Sequence, residues 1–294
     1  MTKATAPRVN VVELRELAEE LARTAGELAL EGRRRHGIGR PVGHDTKSST
    51  TDPVTEYDRA AERMLVAELR RRRPGDSIVG EEGASERGAS GLVWQLDPID
   101  GTVNFVYDLP AWATSVGVED ADGRGLAGAV YVPVSDELFS AARGHGATLD
   151  GTPLRASGAT SLQHALVGTG FSYQAERRSR QGDRLARLLP MVRDVRRSGS
   201  AAVDLCRVAS GRLDAYFEDH LNSWDLAAGL VIATEAGAVS SNFDGGPARP
   251  DDVIVSAPGV HASLRAALAT IASGASGAAR AEGHAPPHRP RSRE

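Results

Sequence analysis

An apolar run that ends in a cluster of carboxylates constrains this chain more than any other feature of its sequence. The run LVWQL, residues 92–96, predicts a short buried strand, and DPIDGT, residues 97–102, follows it directly. Pro98 lacks a backbone donor and the Asp and Gly residues favour a turn, so we expect the ladder of the strand to stop there. Asp97 and Asp100 then share one tight turn, where two like charges cost free energy unless a cation neutralises them. A lone pair of this kind also fits an exposed Asx turn.

Three more acidic positions stand at the ends of predicted elements. Glu81, followed by a second Glu, ends the predicted strand 77–80, Asp58 lies in the first turn of a helix, and Asp225 opens another. Each also has a purely structural interpretation: Thr55 and Asp58 fit a capping box, Asp225 suits a helix N-terminus, and Glu81 suits the surface. Together they are all oxygen donors, and the eight histidines show no paired ligand spacing. This set indicates a hard cation such as Mg²⁺ rather than zinc.

Hydrophobic periodicity predicts a mixed order of helices and strands. Helices are predicted over 11–33, 56–72, 175–195, 200–210, 224–236 and 260–272. Strands are predicted over 77–80, 92–96, 114–119, 126–134, 137–142, 165–170, 213–218 and 253–256. This order indicates an α/β (α+β) fold with layered packing rather than a simple βαβ repeat. The segment 273–294 has no large apolar residue and is predicted to be a disordered tail.

Composition excludes several classes of protein. The 294 residues carry 35 Lys and Arg against 39 Asp and Glu, a formal charge of −4, so no nucleic-acid partner is expected. No apolar run approaches the ~20 residues of a membrane helix, and the N-terminus has no apolar signal region. Cys206 is the single cysteine, which excludes an intrachain disulfide and suits a reducing cytoplasm.

Four motifs, in this order, resemble the inositol monophosphatase family of metal-dependent phosphatases. They are DPVTEYD at 52–58, GEEG at 80–83, DPIDGTVNF at 97–105 and WDLAAG at 224–229, which continues into EAG at 235–237. The resemblance covers about residues 10–270. It implies a layered αβαβα sandwich over residues 9–272, divided into a metal-binding half over about 9–150 and a substrate-side half over about 151–272. It also implies a lithium-sensitive, cytoplasmic homodimer that hydrolyses a small phosphate monoester and has no membrane partner.

The resemblance also implies roles for individual residues. Two to three Mg²⁺ ions would be held by Glu81, Asp97, the carbonyl of Ile99, Asp100, Asp225 and Asp58. Thr102, with Glu81 and Asp58, would orient and deprotonate the attacking water, and Lys47 would lie in a mobile loop near the metals. The substrate would be contacted by Asp100, Gly101, Thr102, Gly199, Ser200, Ala201, Glu218 and Asp225.

The choice of substrate rests on the second half of the chain. Glu218, seven residues before Asp225, matches a family glutamate that accepts hydrogen bonds from a sugar-like ring, and a carboxylate can accept two hydroxyl donors. A solvated strand-end charge is the structural alternative. We therefore favour myo-inositol 1-phosphate and related polyol monophosphates.

Other substrates stay open. Histidinol phosphate, fructose 1,6-bisphosphate and nucleotide 3′-phosphates suit the same fold, and a bisphosphate would require a basic cluster, for which Arg196 and Arg197 are candidates. A non-catalytic binding protein is a third possibility, but such a protein has no use for a complete set of metal ligands.

Overall fold

Helices and strands alternate along residues 9–47 and 52–274, the parts of the chain that the computed structural model describes. The helices are α1 (Val11–Arg34), α2 (Glu56–Arg72), α3 (Thr102–Val106), α4 (Ala175–Leu188), α5 (Ala201–Ala209), α6 (Ser223–Glu235) and α7 (Pro258–Ala272). The first strands are β1 (Asp45–Thr46), β2 (Pro53–Val54), β3 (Ser77–Gly80), β4 (Ser85–Glu86), β5 (Val93–Asp100), β6 (Ala113–Glu119) and β7 (Gly125–Val132). The others are β8 (Glu137–Ala142), β9 (Ala147–Leu149), β10 (Thr152–Pro153), β11 (Leu166–Thr169), β12 (Asp194–Arg196), β13 (Ala215–Asp219), β14 (Val239–Ser241) and β15 (Asp252–Ser256).

Two large sheets and three pairs of helices form the predicted layered αβαβα sandwich. The first sheet has eight strands in the order β10-β9-β8-β7-β6-β5-β3-β4, and the second has five in the order β12-β11-β13-β15-β14. Helices α1 and α2 pack on the outer face of the first sheet, α5 and α6 lie between the sheets, and α4 and α7 pack together on the outer side of the second. The fold class is therefore confirmed.

The outer helices form because their apolar residues recur every three or four positions. Leu14 and Leu21 of α1 and Leu65 and Leu69 of α2 are buried in one cluster with Trp94 of β5. Burial of side chains of this size stabilises the fold by roughly 1.5–3 kcal/mol each. The structure confirms both helices predicted from this spacing, and α2 has the predicted bounds.

Two glycines allow α6 to approach the first sheet closely. A Cβ atom on Gly117 of β6 would lie 2.7 Å from both the Cβ of Ala227 and the backbone N of Ala228. A Cβ on Gly128 of β7 would lie 2.7 Å from the Cα of Ala228. This contact fixes the depth of the first turns of α6, which carry Asp225.

The prediction that the ladder of β5 stops before Asp97 is wrong. The strand runs to Asp100 and stays paired with β6, although its register shifts between Asp97 and Asp100. The carbonyl oxygen of Pro98 accepts a hydrogen bond from the hydroxyl of Thr114 at 2.8 Å. The segment is thus accommodated as an irregularity of the sheet, because the neighbouring strand continues alongside it.

The predicted helix over 175–195 is too long. Helix α4 ends at Leu188, a 3₁₀ turn follows over Leu189–Met191, and Asp194–Arg196 forms β12. Pro190 explains the end of the helix, since proline lacks the donor that an α-helix requires and its ring collides with the preceding turn. Strand β12 exists because it pairs in parallel with β11.

The other expectations about organisation have mixed outcomes. Strands β3 to β10 build the first sheet and β11 to β15 the second, while the division of the chain into halves near residue 150 stays a prediction. Of the predicted tail, residues 275–294 lie outside the described residues. Cys206 is buried and free. No helix in the described ranges has the length and apolar character needed to cross a membrane.

We expect Gly117→Ala to destabilise the protein because the added methyl group has no space beneath α6. Overpacking of this kind costs about 1–3 kcal/mol, which urea unfolding can measure. Gly182→Ala is the matched control: it lies in α4 with no atom within 4 Å of the new methyl group, and it should raise stability by up to about 1 kcal/mol. Equal effects of the two changes would contradict this account of the packing.

Candidate active site

The parallel pairing of β3 with β5 brings the first two carboxylates together. Gly80 lies opposite Leu96, and the backbone N–H of Glu81 donates to the carbonyl of Leu96 at 3.1 Å. The next residues, Glu81 and Asp97, therefore leave the same edge of the sheet side by side. Asp97 accepts the backbone N–H of Ile99 at 3.0 Å, which holds its carboxylate within the irregular part of β5.

Two helix N-termini supply further carboxylates and cap themselves with the same side chains. Asp58 of α2 accepts the backbone N–H of Thr55 at 2.8 Å, and Asp225 of α6 accepts that of Asn222 at 2.7 Å. The capping box predicted for Thr55 and Asp58 is present. Each cap uses Oδ2 of the aspartate, so the structural interpretation of these residues holds together with their place in the site.

Asp97, Asp100 and Asp225 form a cluster of acidic groups that could hold a metal ion. One carboxylate oxygen from each lies within 4.8 Å of the others. Burial, and then the charges of neighbouring carboxylates, raises the pKa of Asp97 and of Asp225 well above the usual range. Like-charged groups held this close stay ionised only when a cation balances them.

Asp100 connects the two sheets. Its Oδ2 accepts the hydroxyl of Ser200 and the backbone N–H of Ala202, both at 2.6 Å, at the N-terminus of α5. Burial raises its pKa to about 6, although these two hydrogen bonds lower it. The strand that carries the acidic cluster is thus fastened to the helix that leads into the second sheet.

Lys47 supplies a positive charge at the edge of the cluster. Its Nζ lies 2.9 Å from Oε1 of Glu81 and 2.5 Å from Oε1 of Glu82. Burial works against the charge of Lys47, but the two glutamates outweigh it and raise the pKa of the ammonium. The other oxygen of Glu81, Oε2, is buried, and none of the described residues donates a hydrogen bond to it.

Thr102 opens α3 beside the cluster. Its hydroxyl lies 3.1 Å from the carbonyl oxygen of Ile99 and 3.3 Å from Oδ1 of Asp58. Burial raises the pKa of Asp58 to about 6, while its hydrogen bonds to Thr55 lower it. Asp58 is therefore ionised at neutral pH and faces the Thr102 hydroxyl.

These groups surround one cavity of about 220 Å³. Every residue predicted to bind metal or substrate lines it, except Asp58, which lies behind Thr102. Lys47, which was predicted to lie near the metals, is beside Glu81. The predicted residues that line the cavity are Glu81, Asp97, Ile99, Asp100, Gly101, Thr102, Gly199, Ser200, Ala201, Glu218 and Asp225. Residues that are far apart in the sequence therefore line the same cavity.

Two residues that no sequence motif indicated, Glu62 and Asn104, shape this cavity. Glu62 is buried and accepts the backbone N–H groups of Glu82 and Ala84 at 2.8 and 3.0 Å, which holds the turn after β3. Asn104 donates to the carbonyl of Ser198 at 2.8 Å and fastens the segment before α5. Glu62 had a detectable signal, since it lies four residues after Asp58 on the same helix face.

The donor set fits a hard divalent cation. It consists of clustered carboxylates together with the Ile99 carbonyl, and Oε2 of Glu81 is a buried acceptor with no donor in residues 9–47 and 52–274. Oxygen ligands of this kind suit Mg²⁺, and a buried acceptor with no partner costs about 1–3 kcal/mol unless a ligand meets it.

Fold and site together define a class: phosphatases built as a five-layer αβαβα sandwich with an acidic cleft. The family model described as the inositol monophosphatase family matches residues 10–276, and the chain belongs to that family.

Named relatives agree with this assignment. The inositol-1-monophosphatase SuhB of Mycobacterium tuberculosis is 45% identical over 282 residues, covering 90% of this chain and 96% of that protein. The Nus factor SuhB of Pseudomonas aeruginosa is 41% identical over 239 residues, covering 78% of this chain and 85% of that protein. The solved structure of the Thermotoga maritima IMPase matches with a TM-score of 0.80 at 32% identity, covering 89% of this chain and 99% of that one.

We expect Asp97→Asn to stabilise the metal-free protein at neutral pH. The raised pKa of Asp97 means that the stability this group contributes is complete below its unfolded value, near pH 4, and is lost as the pH rises through the folded value. In EDTA, the melting temperature of the native protein should therefore fall as the pH is raised above that unfolded value. Asp97→Asn should raise it at pH 7.5 by at least about 2–4 °C, the shift that ~1 kcal/mol produces in a domain of this size.

The second measurement on Asp97→Asn is its melting temperature in the presence of Mg²⁺. Mg²⁺ should raise the melting temperature of the native protein more than that of Asp97→Asn, because the variant has lost a ligand. Asp122→Asn, whose side chain is 71% exposed, is the control and should change neither result. A lower melting temperature for Asp97→Asn in EDTA would contradict the assignment of a repulsive cluster.

Proposed function

We propose that this protein is a Mg²⁺-dependent phosphatase that hydrolyses myo-inositol 1-phosphate and related polyol monophosphates to the polyol and phosphate. The observation that carries the proposal is one cavity lined both by an acidic cluster, Asp97, Asp100 and Asp225, and by a further carboxylate, Glu218. The name of the Mycobacterium tuberculosis relative, inositol-1-monophosphatase SuhB, supports the choice of substrate.

Glu81, Asp97, Asp100, Asp225 and the Ile99 carbonyl would hold Mg²⁺. When bound, the metal supplies a lowered pKa for a coordinated water and neutralisation of the phosphate oxygens. Asp58 would serve a weaker third position through its ionised carboxylate. The ion pair between Lys47 and Glu81 keeps part of the negative charge of the cleft balanced.

The residues of the chain position the nucleophile and accept its proton. The Thr102 hydroxyl can accept a hydrogen bond from the attacking water while it donates towards Asp58, 3.3 Å away. Asp58 is a suitable acceptor because its pKa of about 6 leaves it ionised at neutral pH yet close enough to take up a proton. The backbone N–H groups of Gly101 and Thr102 would receive the phosphate.

The wall contributed by the second sheet would bind the polyol. Ser200 and Ala201 lie at the start of α5, directly against Asp100, and Glu218 near the end of β13 lines the same cavity. Burial raises the pKa of Glu218 to about 7, so a substantial fraction of it is an ionised hydrogen-bond acceptor at neutral pH. Ring hydroxyls are the donors that match such a group.

A second candidate substrate carries two anionic groups, as fructose 1,6-bisphosphate does. Arg177 and Arg197 both line the cavity, and neither forms an ion pair within the part of the chain that the structure describes. The candidate pair proposed from the sequence is separated in the structure, because Arg196 binds Asp194 at 2.6 Å at an exposed site. Arg177 and Arg197 could therefore meet a second phosphate.

The central test measures phosphate release from myo-inositol 1-phosphate, histidinol phosphate, fructose 1,6-bisphosphate, a nucleotide 3′-phosphate and p-nitrophenyl phosphate, with Mg²⁺ and with EDTA. We expect the highest kcat/KM for myo-inositol 1-phosphate and loss of turnover in EDTA. A preference for the bisphosphate that Arg197→Gln removes would select the second candidate. Turnover that persists in EDTA would contradict the metal mechanism, and no release from any substrate would favour a binding protein.

Glu218→Gln separates substrate recognition from chemistry. An uncharged amide is a weaker acceptor, so kcat/KM for myo-inositol 1-phosphate should fall about ten- to a hundredfold. This corresponds to a loss of roughly 1.5–3 kcal/mol of transition-state stabilisation. Hydrolysis of p-nitrophenyl phosphate should be nearly unaffected, since that substrate offers no ring hydroxyl. Equal losses for both substrates would place Glu218 with the metals or the framework instead.

A further inference from the structure

The carboxylate of Glu218 is held by a side chain from its own strand. Tyr216 and Glu218 are two residues apart on β13, so their side chains point to the same face of the sheet. The Tyr216 ring is 0% exposed, and its hydroxyl donates a hydrogen bond to Oε2 of Glu218. The phenol therefore extends along the buried face of the strand and ends at the wall of the cavity.

The residue that follows the neighbouring strand leaves room for this arrangement only because it is a glycine. Strand β11 pairs with β13 in parallel, with Thr169 opposite Phe217, so Gly170 comes next to Glu218. A Cβ atom on Gly170 would lie 2.0 Å from Oε2 and 2.3 Å from Oε1 of Glu218. The carboxylate thus rests directly against the backbone of residue 170, and any larger residue there would displace it.

The two oxygens of Glu218 have different surroundings. Oε2 accepts the Tyr216 hydroxyl, whereas no donor reaches Oε1 among the described residues, and Oε1 is not one of their buried unpartnered atoms. Since Glu218 lines the cavity, Oε1 is the oxygen available to a ligand. Building on the proposed function, we propose that Tyr216 is a positioning residue that fixes Glu218 so that Oε1 accepts one hydroxyl of the polyol.

This geometry restricts how Glu218 can contact the polyol, compared with the expectation from the sequence. A free carboxylate can accept one hydroxyl donor on each oxygen, but with Oε2 engaged by Tyr216 the contact with the polyol is directed to Oε1. Fixing the acceptor before the substrate arrives also removes rotamer freedom that binding would otherwise have to restrict. Specificity then depends on the position of a single hydroxyl relative to the phosphate.

The charged groups around Glu218 define how it responds to pH. Asp100 at the end of β5 and Asp204 of α5 disfavour its ionised form, while Arg197, before α5, favours it. The Tyr216 hydrogen bond also favours the ionised form and lowers the pKa. Without the hydroxyl, the pKa of Glu218 should rise further above its usual range, and a higher pH is needed to ionise the acceptor.

The test compares Tyr216→Phe, Glu218→Gln and the double variant on myo-inositol 1-phosphate and p-nitrophenyl phosphate. Tyr216→Phe keeps the buried ring, and we expect kcat/KM for the inositol phosphate to fall about three- to tenfold, mainly through KM, with p-nitrophenyl phosphate unchanged. The acid limb of the pH profile for the inositol phosphate should move to higher pH. The double variant should match Glu218→Gln within about twofold, because both changes act on one acceptor.

Two further variants keep the outcome interpretable. Gly170→Ala should cause the same loss, restricted to the polyol substrate, by displacing the carboxylate. Tyr131→Phe is the matched control, since it removes a hydroxyl that donates to Asp136 at 2.9 Å on the first sheet, and it should leave both substrates unchanged.

The possible outcomes test the positioning role of Tyr216 separately from the proposed function. Additive losses in the double variant, or equal losses on both substrates for Tyr216→Phe, would overturn the positioning role. A polyol-specific loss for Glu218→Gln with none for Tyr216→Phe would overturn it too, while leaving the proposed function intact. If Glu218→Gln itself shows no preference for the polyol, the proposed contact with the substrate fails first.

Discussion

The close approach of the carboxylates of Asp97, Asp100 and Asp225, with one oxygen of each within 4.8 Å of the others, is the constraint on which the rest of the site depends. Two elements from different parts of the chain converge there: β5 brings Asp97 and Asp100, and α6 brings Asp225. Such a cluster is unfavourable alone, so its neighbours must compensate for it: Lys47 lies at its edge, and groups at the start of α5 donate hydrogen bonds to Asp100. Because the fold holds these carboxylates together, binding of a hard cation is favourable where the layers meet.

The acidic residues serve the fold and the site with different oxygens. Asp58 and Asp225 cap their helices, and Asp100 binds the start of α5, in each case through Oδ2. The second oxygen of Asp58 meets Thr102. Capping therefore orients the carboxylates without removing them from the cleft, and the structural and functional interpretations of these positions describe the same geometry.

In the proposed function, chemistry and substrate recognition fall to different sheets. The first sheet and the helices that end on it provide the acidic cluster and Thr102, while the second sheet provides Glu218 with its supports, Tyr216 and Gly170. Asp100 fastens one side to the other.

The sequence by itself determined the helices with clear apolar spacing and the identity of the acidic set, because helical periodicity and turn chemistry are local properties of the chain. The tertiary structure alone decided which remote groups support that set. It continued β5 to Asp100 because β6 lies alongside, and it made 194–196 a strand because β11 offers a partner. It also directed the Tyr216 hydroxyl to Glu218. It placed Arg197 in the wall of the cavity, whereas Arg196 pairs with Asp194 at an exposed site. Strand pairing and side-chain contacts join residues far apart in the chain, so no local pattern records them.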